Sequence, residues 1–197
     1  MRDSEVALFP LKTVLYPGGP LALRIFEPRY VDMVKRCARD DKGFGVVAIE
    51  RGQEAGPATT HEIGTLARIV DWYSESGGLL GIVVIGAQRF RILDSRVADD
   101  GLRVGHVEML PDEEKQPVPQ QYRYMAELLE SIVDQLGEQY ELIDKDFHNA
   151  SWLGYRFAEI LPVELADRQQ YLESDDALAR LAGLAPILDA LSVDEAR

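Results

Sequence analysis

The groups in this chain that could carry chemistry do not converge. Three histidines, His61, His106 and His148, stand far apart, without the short spacings that gather metal ligands. The single cysteine, Cys37, can form no internal disulfide and supplies no thiolate cluster. Tyr30, Met33 and Val34 neighbour it at helical spacing, so it reads as a small buried apolar side chain rather than a reactive thiol. Ser74 and Ser76 lack both a Gly-x-Ser-x-Gly elbow and a histidine nearby in sequence. No Gly-x-x-x-x-Gly-Lys-Ser/Thr run is present to cradle a nucleotide phosphate. The paired acids Asp40-Asp41, Asp99-Asp100, Glu113-Glu114 and Asp175-Asp176 fall at expected turns or helix starts. They read as solvated turn or cap residues, not as general acid–base pairs. The sequence therefore predicts no catalytic residue, no cofactor and no metal.

Three further sets of residues invite a binding role. Arg89 and Arg91 could form a basic stripe, but on an alternating strand with Phe90 and Ile92 they read as the solvent face. Glu27 and Arg29 bracket a helix start, where the dipole favours a carboxylate and Arg29 can pair with it, a structural role. Trp72 and Tyr73 adjoin a Gly-rich loop and are the candidate protein-contact residues, with core burial the favoured reading for Trp72.

The elements that must position these residues differ between the two parts of the chain. Glu5–Leu11 and Leu21–Ile25 are short apolar runs separated by the Pro17-Gly18-Gly19-Pro20 turn. Pro28 sits at a first helical position, where its fixed φ fits and its missing N–H costs nothing. Tyr30, Met33, Val34, Cys37 and Ala38 then trace one helical face, ending near Asp40-Asp41. Phe26 and Val31 could form the flanking hydrophobic staple. Strands are expected at Phe44–Glu50, Ile63–Trp72, Leu79–Ala87, Gln88–Leu93 and Leu102–Leu110, with Ile63, Thr65, Ala67 and Ile69 on one face of the second. Ser74 to Gly78 reads as a hairpin loop. Many short strands with regular turns suggest a barrel or sandwich.

The charged, proline-rich stretch Pro111–Pro119 reads as a linker, which places a β-rich unit at 1–115 and a helical one at 116–197. In the second, one helix runs from Tyr122 to Leu136 and ends at Gly137. Another carries Trp152 to Leu161 and stops at Pro162, and a third spans Leu165 to Leu172. A fourth starts at Ser174 or Asp175 as N-cap, with a kink expected at Pro186. The formal net charge is −13, of which residues 116–197 carry −10. Such a surface repels phosphate backbones, so nucleic acid is not an expected partner. No apolar run approaches the roughly 20 residues of a membrane helix, and the start has no apolar signal region. The chain reads as soluble and cytoplasmic, without a membrane partner.

Several segments together carry a family resemblance. They are Leu8-Phe9-Pro10-Leu11, Val14-Leu15-Tyr16-Pro17-Gly18 and Ile25-Phe26-Glu27-Pro28-Arg29-Tyr30, then Ile63-Gly64-Thr65-Leu66-Ala67-Arg68-Ile69 and Ile85-Gly86-Ala87-Gln88-Arg89-Phe90. Ala158-Glu159-Ile160-Leu161-Pro162 and the segment from Arg168 to Leu181 continue the order. This series resembles the N-terminal, substrate-binding domain of the ATP-dependent Lon protease, and especially small bacterial proteins made of that domain alone. The resemblance implies an α+β fold, with a PUA-like β-barrel subdomain containing one early helix and then a C-terminal α-helical bundle. Pro10, Pro17, Gly18, Phe26, Glu27, Pro28, Arg29, Tyr30, Gly64, Gly86 and Arg89 match the family pattern and are expected to be mainly structural. The implied partners are unfolded or degron-bearing protein segments, together with a protease or chaperone system. The chain shows neither an ATPase nor a Ser-Lys peptidase module, so the resemblance implies a non-catalytic binding module. The competing readings are a small-molecule binder or enzyme with a cleft between the subdomains and, less favoured by charge, an RNA binder by analogy of fold.

Overall fold

The computed structural model describes residues 3–54, 58–74 and 79–194. The chain divides into two compact units, Met1–Asp112 and Glu113–Arg197. Most of the loop expected at 74–78 lies outside the described residues.

The first unit contains strands β1 (Asp3–Leu11), β2 (Pro20–Ile25), β3 (Phe44–Gly52), β4 (Ala58–Thr60), β5 (Ile63–Ser74), β6 (Leu80–Val97) and β7 (Arg103–Met109). Helix α1 (Pro28–Asp40) lies between β2 and β3 in sequence. The strand order β1–β7–β6–β5–β3 closes on itself through a parallel β1–β3 pairing, Leu8 opposite Gly45 and Leu11 opposite Ala48. The fold is thus a closed barrel, with β2 added to the first half of β6 and β4 to the end of β3. Closure pairs edges that would otherwise stay open.

Apolar residues on both faces of β1 bury most of it from Val6 to Leu11, while Glu5 stays exposed. Phe9 and Leu11 join Ile25, Met33, Phe44, Ile82 and Val84 in one core. Val6 and Leu8 join Val47, Phe90 and Val107 in a second. The Phe90 ring lies over two glycines: a Cβ on Gly64 would stand 2.8 Å from its Cζ and 2.5 Å from the Val46 carbonyl oxygen, and one on Gly45 would stand 2.6 Å from that Cζ. The 17–20 turn docks by backbone bonds on β6. Gly18 N–H donates to Gly86 O at 2.7 Å, and Gly86 N–H donates to Gly19 O at 2.9 Å. Gly18 holds a φ of 69°, and a Cβ on Gly86 would come within 2.1 Å of Tyr16 O.

Helix α1 starts at Pro28 and buries Tyr30, Met33, Val34 and Cys37. It ends at Asp41, whose φ of 50° places the Lys42 N–H on the Cys37 carbonyl. The expected staple does not form as drawn: Phe26 is 64% exposed, while Val31 packs on the core.

The two strands expected at Leu79–Ala87 and Gln88–Leu93 are one 18-residue strand. Thr65 faces Arg89 and Ala67 faces Gly86, so β6 holds one more residue than β5 between those pairs. Such a bulge bends a strand without ending it. It also rephases the pleat: Arg89 shares the face of Thr65 and Ala67 and is 4% exposed, while Arg91 stays exposed. The reading of Arg89 as solvent face fails for that reason. Strand β4, only three residues long, gives no periodic signal.

The second unit contains helices α2 (Arg123–Ile132), α3 (Ala150–Ile160), α4 (Leu165–Glu173) and α5 (Ala177–Asp194), with 3-10 turns at Gln120–Tyr122, Val133–Gln135 and Glu138–Leu142. The helix expected over Tyr122–Leu136 is therefore an α-helix flanked by 3-10 turns, and Gly137 follows with a φ of 128°. Helix α3 is the centre, buried from Ala150 to Ala158 and capped by Asn149, whose Oδ1 accepts from Ser151 N–H at 3.1 Å. The cap of α5 is Asp176, not Ser174 or Asp175, because its Oδ1 accepts from Leu178 and Ala179 N–H. Helix α5 continues through Pro186.

The stretch read as a linker is not slack. Ala150 N–H donates to Gln116 O at 2.8 Å, and Val118 N–H donates to His148 O at 3.0 Å. Glu113, read as a solvated turn acid, has a side chain only 5% exposed. Both its oxygens accept from Arg180, and the Ser151 and Tyr155 hydroxyls donate to it as well. Arg180 also donates to Tyr171 O and Ser174 O, and its guanidinium lies 3.9 Å from the Tyr155 ring centroid. Burial pushes the Glu113 carboxyl up, but Arg180 and the two hydroxyls outweigh it and hold the group below its ordinary value.

Candidate protein-contact surface

A second bulge shapes the surface of the first unit. On β5, Ile69 faces Val84 and Asp71 faces Val83, which leaves Val70 as the extra residue. Cross-strand partners share a face. Trp72, opposite Ile82, therefore lies on the face of Ile69 instead of the opposite one. Trp72 is 45% exposed, and Val70 is exposed too, so the expected core burial of Trp72 is corrected.

Val70 and Trp72 border a groove of about 560 Å³. Leu66, Arg68 and Ile69 of β5 line one side of it, and Cys37, Asp41 and Gly43 line the other. The volume falls within the roughly 300–1,000 Å³ of ligand clefts. Cys37 is buried at its margin, with Sγ 3.7 Å from Gly43 O, and burial raises its thiol. The groove carries one acid, Asp41, and two bases, Lys42 and Arg68.

The structure separates the two expected contact residues. Tyr73 faces Gly81 on the other face of the sheet, where its ring atoms would lie 2.3–2.6 Å from a Cβ on that glycine. A half-buried tyrosine covering a glycine is a sheet-packing device. Val70, Arg68 and the Asp41–Gly43 turn were missed from sequence. The adjacent apolar pair Ile69-Val70, which breaks the alternation of β5, was the available signal.

Several of the family-pattern residues make contacts within the barrel unit. Arg29 Nη2 pairs with Glu27 Oε2 at 2.7 Å, Arg29 Nη1 donates to Gly101 O at 3.0 Å, and the guanidinium lies 4.7 Å from the Tyr30 ring centroid. Tyr30 stacks on Phe9 with centroids 4.1 Å apart. Pro10, Arg29 and Tyr30 also border a smaller cavity of about 280 Å³. Pro17, Gly18 and Gly86 lock the turn onto β6. Among the described residues, no group of three or more His, Cys, Asp or Glu is placed to hold a metal, and no helix is long and apolar enough to cross a membrane.

A closed barrel containing one early helix, followed in sequence by an α-helical unit, defines an α+β domain of the Lon N-terminal type. The chain belongs to the ATP-dependent protease La (Lon) substrate-binding domain family, whose model matches residues 5–190. It is similar to a crystal structure of a Lon N-terminal domain protein from Xanthomonas campestris, with a TM-score of 0.74 and 34% identity, covering 93% of this chain and 98% of that one. The N-terminal domain of Mycobacterium avium complex Lon protease shares the fold, with a TM-score of 0.62 at 18% identity over 93% of this chain and 97% of that one. In sequence the chain is 26% identical to a Lon protease from Cytophaga hutchinsonii over 94% of its length. It is 35% identical to protein cereblon from Danio rerio over 50% of its length. It spans about a quarter of those relatives, 24% and 23% of their lengths.

Proposed function

We propose that the chain is a non-catalytic module that binds unfolded or degron-bearing protein segments on its barrel unit and serves a protease or chaperone system. One observation carries this reading: a half-exposed Trp72 and an exposed Val70 beside a groove of about 560 Å³. Exposed apolar groups of this kind mark contact sites for other chains. Membership of a substrate-binding domain family supports the same reading.

The test is photo-crosslinking of the full chain to a permanently unfolded protein, such as reduced and carboxymethylated α-lactalbumin, with the folded form as control. Crosslinks are expected at Val70 and Trp72. Capture no greater than that by an inert protein of equal charge overturns the reading. Purified chain is expected to hydrolyse neither ATP nor the unfolded protein. Turnover abolished by one polar substitution would refute the non-catalytic part.

A further inference from the structure

Strand β5 is paired on both sides only in its first half. Thr65, Leu66 and Ala67 face Val46, Gly45 and Phe44 of β3, and β3 begins there. From Arg68 to Ser74, β5 has β6 as its one strand partner among the described residues. The groove borders the other edge, because Asp41–Gly43, which line it, lead directly into β3. Within this stretch the Trp72 N–H donates to the neighbouring Asp71 Oδ1 at 2.8 Å.

We infer that the groove takes an extended peptide segment as an added strand along Arg68–Trp72 of β5, a mode that rests on the protein-binding reading above. An open strand edge offers main-chain N–H and C=O groups spaced for one more strand, and side-chain pockets beside it select alternate residues. Five residues of β5 extend about 16 Å, enough for a segment of four to six residues. Leu66, Ile69, Val70 and Trp72 favour apolar side chains at alternate positions. Asp41 offsets one of Lys42 and Arg68, which leaves the lining with a single net positive charge, so the segment needs little net charge. A second copy of this chain is the poorer occupant. Each copy carries −13, so two copies repel one another where a short segment of little net charge does not.

The experiment uses the full chain and a fluorescent eight-residue peptide alternating valine and threonine, with a terminal lysine, read by anisotropy. Two derivatives carry N-methyl groups on alternate residues, one on each strand edge. One derivative is expected to lose at least tenfold in affinity and the other less than threefold, because an added strand bonds through one edge only. Trp72→Ala is expected to weaken the parent peptide at least fivefold. The N-methylated peptides need no altered protein, so a misfolded variant does not blunt the test. Equal binding of both derivatives and the parent overturns strand addition, while capture of unfolded α-lactalbumin would leave the broader reading standing. Failure of both the peptides and the unfolded protein to bind refutes the two together. Concentration-dependent dimers that Trp72→Ala dissolves and the peptide does not would assign the edge to a second copy and overturn the inference.

Discussion

The two units solve the problem of buried polar groups in opposite ways. The barrel unit closes its backbone on itself and uses glycines and bulges to do so, which among the described residues leaves one stretch of β5 paired on a single side. The helical unit closes around side chains: Glu113, Ser151, Tyr155 and Arg180 satisfy one another in its interior. Backbone closure rephases faces and exposes an edge. Around Glu113, side-chain closure pairs the buried polar groups with one another. The function proposed above places recognition on the barrel unit, at that stretch of β5.

The largest effect should come from breaking the helical network. Arg180→Met leaves the Glu113 carboxylate buried without its cation, which costs about 3–5 kcal/mol. Urea denaturation followed by far-UV circular dichroism measures it. Adding Glu113→Leu to that variant is expected to recover part of the loss, since a buried pair replaced by apolar residues is often near neutral. No recovery would show that the packing around Arg180, not its charge, holds the unit.

Next comes the turn that locks the barrel. Gly86→Ala forces a Cβ to within 2.1 Å of Tyr16 O, a backbone atom that moves only with the whole 17–20 turn. A loss of about 1–3 kcal/mol is expected, the usual range for overpacking. An unchanged Tm would mean the turn shifts freely. The contrast between a rigid frame and a permissive edge would then fail.

A smaller effect should appear in acid. A carboxyl held below its ordinary value of 4.5 stabilises the fold above that value and loses the contribution as pH falls through the folded pKa. Stability of the wild-type chain should therefore decline below about pH 4.5. Glu113→Gln should be less stable at pH 7 and show a shallower decline. The two pH profiles of urea midpoint decide it, with parallel slopes excluding Glu113 as the source.

Much of this architecture was legible in the sequence. Period-2 and period-3.6 patterns located the strands, α1 and the helical unit, because each side chain's burial there follows from its own element. The exceptions share one cause. A bulge is a relation between two strands, so the count of alternating residues along β6 could not reveal that Gln88 and Ala87 carry the extra step that turns Arg89 inward. The same blindness at Val70 hid the side on which Trp72 emerges. Glu113 and Arg180 lie 67 residues apart, and no local pattern links a carboxylate in a proline-rich stretch to a guanidinium on α5.

The smallest stability effect, and the sharpest test of the contrast, uses the two tryptophans. Trp152 is 8% exposed, packed edge-on against Phe147 in the helical unit, whereas Trp72 stands 45% exposed beside the groove. Truncating a half-exposed surface side chain away from any cap or buried network changes stability within about 0.5 kcal/mol. Trp72→Ala should therefore leave the urea midpoint almost unmoved. It should also remove the part of the fluorescence that acrylamide quenches readily, because the remaining indole is shielded. A large drop in stability would place Trp72 in the frame and not on the recognition edge. A quenchable fraction that survives the substitution would show that the helical unit opens more easily than its closed interior implies.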